Sequence, residues 1–519
     1  MLIHQIIDKG LRDNSKKIAL TDPKHQLTYK VFSSTINVFA QKLIKKRLNY
    51  GDRVLLYADN SVYFMVAYFA IIKAGLIVVP VDNSSALSRI SLLIKDCGAK
   101  GVFVGSRQAI IIKEYLQLEK ATTLEFVFSL DKLTGFFPNS FELIENRSEC
   151  EISDTIWPKI SSEDIVEIIY TTGSTGSSKG VCLTHRNILA ALNNINEFVG
   201  YQQTDHEVVT LPLTHSFGLN HVLCNLKVGG SAYIESGILH LKKIFNAIRN
   251  QKATGFPGTP ASFSIIMGRY TEVFRENASS LRFIVVNSAP LPPALAEKIM
   301  KLLPHIRLMV YYGLTEASRS SFIEHSIENK TLLQSVGRAS PNVGIAVLDE
   351  SGNVLNREAK GEVLVKAETV MHRYWNNAKA TEDKMLNGWF KTGDLGYIDK
   401  NGYLFLQGRL KDMINIGGMK TSSSEINEAY EKFWKVEELY AIGICEGIHS
   451  GEKIIAFVIK KVNVELSIEE LIGFGRKHLD FYKVPSSFYF VESIPKSDTG
   501  KVKTGELKDI AKRLEKELC

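Results

Sequence analysis

A chain of 519 residues exceeds what one hydrophobic core organises and implies two or more domains. Its 45% hydrophobic and 23% charged residues are ordinary for a soluble globular protein. The 63 Lys and Arg against 56 Asp and Glu leave a net charge of +7 with no concentrated basic block, which suits anionic ligands and gives no case for nucleic acid. Cys97, Cys150, Cys182, Cys224, Cys445 and Cys519 are scattered with no C-x-x-C pair. They read as reduced thiols of a cytoplasmic protein, not as a disulfide frame or a zinc site. At the N-terminus Leu2, Ile3, Ile6, Ile7 and Leu11 recur at helical spacing, in a stretch too short and too charged for a signal peptide. The most apolar stretch, 63–81, is broken by Lys73, Gly75 and Pro80 and reads as a buried helix followed by a strand, so no transmembrane segment is expected.

Up to about residue 200 helices and strands alternate. Helices are expected over 28–47, 62–74 and 88–97, and strands over 53–57, 77–81 and 101–104. Residues 208 to about 350 repeat the theme, with strands at 208–211, 231–234, 255–257, 283–287 and 308–312. Such alternation predicts α/β sheets with helices against their faces. From about 344 to 406 short strands and the turn pairs Ser351-Gly352, Asn387-Gly388 and Asn401-Gly402 suggest a small β-rich subdomain. The last stretch, 411–519, reads as an independent α+β domain. It carries a helix with Ile426, Tyr430 and Phe433, strands at 439–444, 454–459 and 488–491, a helix over 468–479, and a final helix with Leu507, Ile510, Leu514 and Leu518 on one face. The expected fold is therefore α/β, with domains 1–410 and 411–519.

One stretch concentrates the chemistry. An apolar run, 165–170, collapses into Thr171, Thr172, Gly173, Ser174, Thr175, Gly176, Ser177 and Ser178 and is closed by Lys179 and Gly180. Glycines let backbone amides turn toward an anion, hydroxyls add donors and the lysine adds a point charge, as a polyphosphate requires. The Walker loop has its lysine before Ser or Thr and runs straight into a helix. Here Lys179 lies between Ser178 and Gly180, a second apolar run 181–183 follows, and a helix begins only after Thr184, an N-cap, with Ile188, Leu192 and Ile195 on one face and Gly200 behind it. The loop is thus expected at a hairpin tip between two strands. The full string resembles the phosphate-binding motif of the AMP-forming adenylating enzymes: acyl-CoA synthetases, nonribosomal-peptide adenylation domains and firefly-type luciferases.

Further motifs of that family follow in order. Tyr311-Tyr312-Gly313-Leu314-Thr315-Glu316 resembles the aromatic-Gly-x-Thr-Glu motif, which implies that Tyr312 stacks on adenine beside Gly313, Thr315 donates to a phosphate and Glu316 holds Mg²⁺. Thr392-Gly393-Asp394 resembles the motif whose Asp accepts from both ribose hydroxyls. Gly408-Arg409-Leu410-Lys411-Asp412 resembles the hinge motif, implying that Arg409 contacts the ribose and Lys411 absorbs a rotation of a mobile C-terminal domain. Gly417-Gly418 resembles the lining of the pantetheine tunnel; Asn415 and Ser423 depart from the residues of many relatives. Pro495 to Lys501 resembles the C-terminal lysine loop, which makes Lys501 the catalytic lysine that stabilises charge at the α-phosphate. His215 falls at the family's aromatic gate. Ser216 stands where amino-acid-activating relatives carry aspartate, and a buried ammonium without a carboxylate would be costly, so an α-amino acid is disfavoured. Asn287-Ser288-Ala289 resembles the small-residue turn at the adenine and acyl pocket, with Asn-Ser in place of the Gly-Gly or Gly-Ala of many relatives.

The resemblance implies ATP-dependent activation of a small carboxylic acid, fatty or aryl, to acyl-AMP with pyrophosphate release, then transfer to a thiol. ATP, Mg²⁺ and coenzyme A are the implied cofactors, with carrier-protein phosphopantetheine, and hence an acyl carrier protein partner, as the alternative acceptor. A luciferase-type oxidase and a non-catalytic adenylate-binding protein are the other readings. The acid and the oligomeric state stay open.

Overall fold

Alternating apolar segments of four to seven residues build two sheets in the first of two compact units. The computed structural model describes residues 1–119, 121–130, 155–171, 178–238, 240–355, 357–410, 413–416, 419–445, 452–497 and 500–517. Its first unit comprises residues 1–344 and 366–390, and its second 345–365 and 391–519.

In the first unit one seven-stranded sheet runs in the order Arg373–Tyr374, Lys179–Thr184, Ile165–Thr171, Ile77–Pro80, Arg53–Tyr57, Gly101–Val104, Phe126–Ser129. The last five of these strands are parallel, and their crossovers are the helices Val62–Lys73, Leu87–Cys97 and Ser106–Leu118. Strands buried on both faces need continuous apolar runs, and Gly101–Val104 and Ile77–Pro80 are buried throughout. Tyr29–Lys45 is capped by the Thr28 hydroxyl, and Val62–Lys73 by Ser61; both helices pack into the core. The expected N-terminal helix is shorter than its apolar spacing suggests. A 3₁₀ turn, Ile3–Gln5, precedes the helix Asp8–Asn14, and Ile3, Ile6 and Ile7 are buried ahead of that helix.

The second sheet of this unit places Arg307–Tyr312, Phe283–Val286, Gly255–Gly258, His206–Val209, Ser231–Ile234 and Ile18–Thr21 side by side and parallel. Antiparallel strands close both sides: Gln26–Thr28 at one, Ser321–His325 and Ser335–Ala339 at the other. Register pairs Gly258 with Val286 and Val286 with Val310, so the carboxyl ends of neighbouring strands finish level. In an open parallel sheet this is the edge where loops make a ligand site.

The second unit contains Ala359–Ala367 up to Val365, Trp389–Ile398 from Lys391 on, and its antiparallel partner Leu404–Arg409. A hairpin, Met413–Ile416 with Met419–Ser422, follows. Then come three strands, Val436–Cys445, Glu452–Lys460 and Ser487–Phe490. Strict period-two alternation buries both faces of this small sheet. Leu439, Ala441, Ala456, Val458 and Phe488 pack with Ile426, Tyr430 and Leu471 of the helices Ser423–Tyr430 and Ile468–His478. The intervening residues Ile442, Ile444, Ile455 and Phe457 pack with Leu507 and Ala511, joined by Ile510 and Leu514, of Thr504–Glu517. The apolar face expected of the final helix is the one buried; Leu518 lies outside the described residues.

Candidate active site

The strands on either side of the Gly/Ser/Thr stretch form a hairpin. Ile165–Thr171 pairs antiparallel with Lys179–Thr184, and Thr171 stands directly across from Lys179. Thr172, Gly173, Ser174, Thr175 and Gly176 lie outside the described residues. Behind the tip, Thr184 caps His185–Val199 through the Asn187 amide nitrogen, Asn187 returns a side-chain bond to the Thr184 amide, and Gly200 ends the helix at φ 70°. The Asn187 side chain also donates to the carbonyls of Glu368 and Val370. The segment leading to Arg373–Tyr374 is thereby tied to the same hairpin, whose outer strand it joins in register, Tyr374 across from Val181.

Tyr374 is a residue that sequence reasoning missed. Its ring lies 5.2 Å beneath the Lys179 ammonium, and its hydroxyl donates to Glu316 Oε1 at 3.0 Å. Burial first, then the Glu316 carboxylate, raise this phenol well above its ordinary value, so it stays a donor at physiological pH. The only signal in the sequence is a tyrosine beside Trp375, with too few residues for any period.

Glu316 is held in a tight connection after Arg307–Tyr312. Leu314 N–H donates to the Ala317 carbonyl at 2.9 Å, Ser320 N–H to that of Tyr312 at 2.8 Å, and Met371 N–H to that of Glu316 at 2.8 Å. A Cβ on Gly313 would lie 2.4 Å from the Arg319 nitrogen, so only glycine fits there. Tyr312 is buried at the strand end, and Thr315 is half-buried beside Glu316. Mg²⁺ commonly takes one or two carboxylates, with phosphate oxygens and water completing its shell. Glu316 fits that mode, because its second oxygen makes no hydrogen bond among the described residues. No group of three or more His, Cys, Asp or Glu among the described residues offers an all-protein metal cage.

The same sheet edge gathers the other expected pocket residues of this unit. Asn287 and Ser288 directly follow Phe283–Val286, and Ser288 adopts φ 85°, a region rare for any residue but glycine. Ala289 is exposed. His215 is the N-cap residue of Ser216–Val228, 40% exposed in its side chain, with Nε2 3.9 Å from Asp82. Beneath them lies a buried polar network. Glu207 accepts from Asn225 at 2.6 Å and lies 3.1 Å from His221 Nδ1, while His221 Nε2 lies 3.2 Å from the Tyr311 hydroxyl, which is also hydrogen-bonded by Asn287. Arg319, another residue missed from the sequence, reaches Ser216 and covers the Tyr311 ring.

The second unit holds a pair of its own. Asp394 stands opposite Arg409 in the strand register, and Arg409 Nε meets Asp394 Oδ1 at 2.9 Å. Asp394 is 5% exposed. Its turn is fixed by Thr392 Oγ1 donating to the Val363 carbonyl, by Gly393 N–H donating to Glu362, and by φ 77° at Gly393. Lys501 lies exposed in a loop closed by the bridge between Lys496 and Val502 and by Ser497 N–H donating to the Lys501 carbonyl at 2.7 Å. Two neighbouring lysines are engaged with carboxylates, Lys496 with Glu438 and Lys503 with Glu506. Lys411, Gly417 and Gly418 lie outside the described residues. Cys97, Cys182 and Cys224 are free and buried, and burial pushes the first two thiols up to about 12. The other three cysteine side chains lie outside the described set. No helix among the described residues is long and apolar enough to cross a membrane.

Comparison with known proteins bears on the family. The sequence pattern of the AMP-binding enzymes matches residues 7–375, and that of the AMP-binding enzyme C-terminal domain matches residues 425–501. A 4-coumarate–CoA ligase-like protein of Arabidopsis thaliana is 30% identical over 473 residues, covering 89% of this chain and 81% of that one. A long-chain-fatty-acid–CoA ligase of Salmonella typhimurium is 30% identical over 490 residues, covering 90% of this chain and 86% of that one. The structure of ATP-bound MatB from Rhodopseudomonas palustris shares the fold, with a TM-score of 0.86 at 23% identity over 99% of this chain and 100% of that one. The chain belongs to the AMP-binding enzyme family and, within it, to the AMP-forming acid–thiol ligases.

Proposed function

We propose that the enzyme converts a carboxylic acid to its coenzyme A thioester in two steps. In the first, a carboxylate oxygen attacks the α-phosphorus of ATP. The bond from that phosphorus to the oxygen bridging the β-phosphate breaks, and pyrophosphate leaves from the acyl-AMP anhydride. The acid is already ionised near pH 7, so the step needs no general base; catalysis is positioning and charge stabilisation. We assign residues 171–179 to the β- and γ-phosphates, Thr315 to the α-phosphate, Tyr312, Gly313, Ser288 and Ala289 to adenine, and Asp394 with Arg409 to the ribose. His215, Ser216 and Asn287 border the acyl group. Glu316 would hold Mg²⁺, which when bound neutralises phosphate charge. Lys501 offsets the charge that develops as the α-phosphorus is attacked.

In the second step a thiol sulfur attacks the acyl carbonyl carbon. The bond from that carbon to the phosphate oxygen breaks, AMP leaves and the thiol proton passes to solvent. For this step we assign 411–519 as the mobile domain, with Lys411 as hinge and Gly417 and Gly418 against the pantetheine arm.

The observation that carries the reading is the line Lys179, Tyr374, Glu316, which joins the phosphate-loop lysine to the candidate metal carboxylate. The test is pyrophosphate release over a panel of carboxylic acids, each with and without coenzyme A. Release followed by thioester formation with coenzyme A supports the ligase. Acid-dependent pyrophosphate exchange with no use of coenzyme A moves the acceptor to a carrier-protein thiol. Silence over the whole panel counts against catalysis.

A further inference from the structure

We propose that the acid this enzyme activates carries a second carboxylate, held by Arg319; the inference rests on the acyl-adenylating reading of the site. Arg319 follows Glu316 by three residues, in the connection between Arg307–Tyr312 and Ser321–His325. Its backbone is at φ 56°, an uncommon conformation for a non-glycine residue and one that tends to persist at functional sites. The residue is 2% exposed. Its Nη1 donates to Ser318 Oγ at 2.6 Å and to Ser216 Oγ at 3.3 Å, and its Nη2 donates to the Ser216 carbonyl at 2.7 Å. The guanidinium lies 5.1 Å from the centre of the Tyr311 ring.

A guanidinium keeps its charge when buried, and burial is tolerated when a carboxylate and a full set of acceptors meet it. Arg319 has neither among the described residues. Among the described residues no carboxylate comes within the 4.0 Å of an ion pair with it. The buried carboxylate of the neighbouring network, Glu207, is engaged by His221 and Asn225 instead. The Arg319 Nε, fully buried, has no acceptor among the described residues. The acceptors it does have, on Ser216 and Ser318, are neutral, and its neighbours adjoin the residues assigned to the acyl group: Ser216 opens the helix behind the gate residue His215, and Tyr311 is hydrogen-bonded by Asn287 at the end of the next strand. A purely hydrocarbon acyl chain would leave this charge without a carboxylate and this N–H without an acceptor. A carboxylate is the planar acceptor that the free edge of a guanidinium fits, and Ser216 Oγ and the Asn287 amide are neutral groups able to orient it.

The experiment is pyrophosphate release with acids paired by length, with and without a second carboxylate: hexanoate against adipate, decanoate against sebacate, benzoate against phthalate and its isomers. Each pair is run on the wild type, Arg319→Gln and Arg319→Lys. At least one diacid is expected to exceed its partner monoacid about tenfold or more in kcat/KM. Arg319→Gln should abolish that preference through the diacid KM, and Arg319→Lys should restore part of it. Calorimetric binding of the preferred diacid to the same proteins gives a readout that does not depend on turnover. Monoacids preferred in every pair, or a preference ratio unchanged in Arg319→Gln, overturns the second carboxylate while leaving the ligase standing. Release with no acid of either class overturns both. If Arg319→Gln does not fold, the wild-type preference alone decides.

Discussion

Replacing Tyr374 with Phe removes one oxygen and keeps the ring. The lost group donates to Glu316 Oε1 at 3.0 Å, while the ring under Lys179 at 5.2 Å stays in place. A hydrogen bond to a charged acceptor contributes about 1.5–3 kcal/mol. Glu316 is half-buried, so water replaces part of the bond and the low end applies. About 1.4 kcal/mol is a factor of ten, so kcat/KM for Mg·ATP should fall roughly tenfold in Tyr374→Phe. Tyr374→Ala also removes the contact between ring and ammonium, worth about 0.5–2 kcal/mol, and should fall several-fold further. The assay is the initial rate of pyrophosphate release over a grid of ATP and Mg²⁺ concentrations, with thioester formation from supplied acyl-AMP measured beside it. The loss should be confined to adenylate formation, since only that half-reaction involves the β- and γ-phosphates. Tyr374→Phe within twofold of wild type over the grid would refute a positioning role for the hydroxyl. Equal loss in the Phe and Ala variants would refute the contribution of the ring.

Lys501→Ala should slow adenylate formation roughly 100-fold and spare thioester formation from supplied acyl-AMP; equal loss in both half-reactions counts against the two-step assignment. Asp394→Asn weakens the pair with Arg409 and the proposed ribose acceptor, and should raise KM for ATP about tenfold, as read from pyrophosphate release at saturating acid. Glu167 is a stability test. Burial in the strand Ile165–Thr171 raises its carboxyl from 4.5 to about 8. The folded state therefore keeps a proton that the unfolded chain gives up, so stability is full below about pH 4.5 and falls as pH rises toward 8. At pH 7 the cost is about 3 kcal/mol. Glu167→Gln should gain on the wild type in urea midpoint between pH 5 and pH 8, and a constant difference over that range would contradict the buried carboxyl.

The two strands of the hairpin were legible because the signals agree: an apolar run on each side of the hydroxyls and glycines, and a capping threonine after the second run. Thr184 caps where its spacing places it, and Gly200 ends the helix as expected. The parallel strands were legible for the same reason, since burial on both faces leaves short apolar runs bounded by polar turns. Ser321–His325 and Ser335–Ala339 were not expected as strands; the first pairs antiparallel with Arg307–Tyr312, and the second with the first. Tyr374 and Arg319 were invisible for a different reason. Each acts through a neighbour far along the chain, Glu316 for one and Ser216 for the other, and no local period encodes such a meeting. Arginine in a turn of small residues reads as a solvated surface charge until its burial is known.

Ser216, Asn287, Ser288 and Arg319 come from separate connections of one sheet: Ser216 from the segment after His206–Val209, Asn287 and Ser288 after Phe283–Val286, Arg319 after Arg307–Tyr312. Each of these residues thus hangs from its own strand end, while the strands themselves are fixed by hydrogen bonds and apolar packing elsewhere. Substrate preference can drift in such a design one loop at a time, without passing through a misfolded intermediate. Exchanging the segment around Arg319 is accordingly the first place to redirect this scaffold toward a different acid.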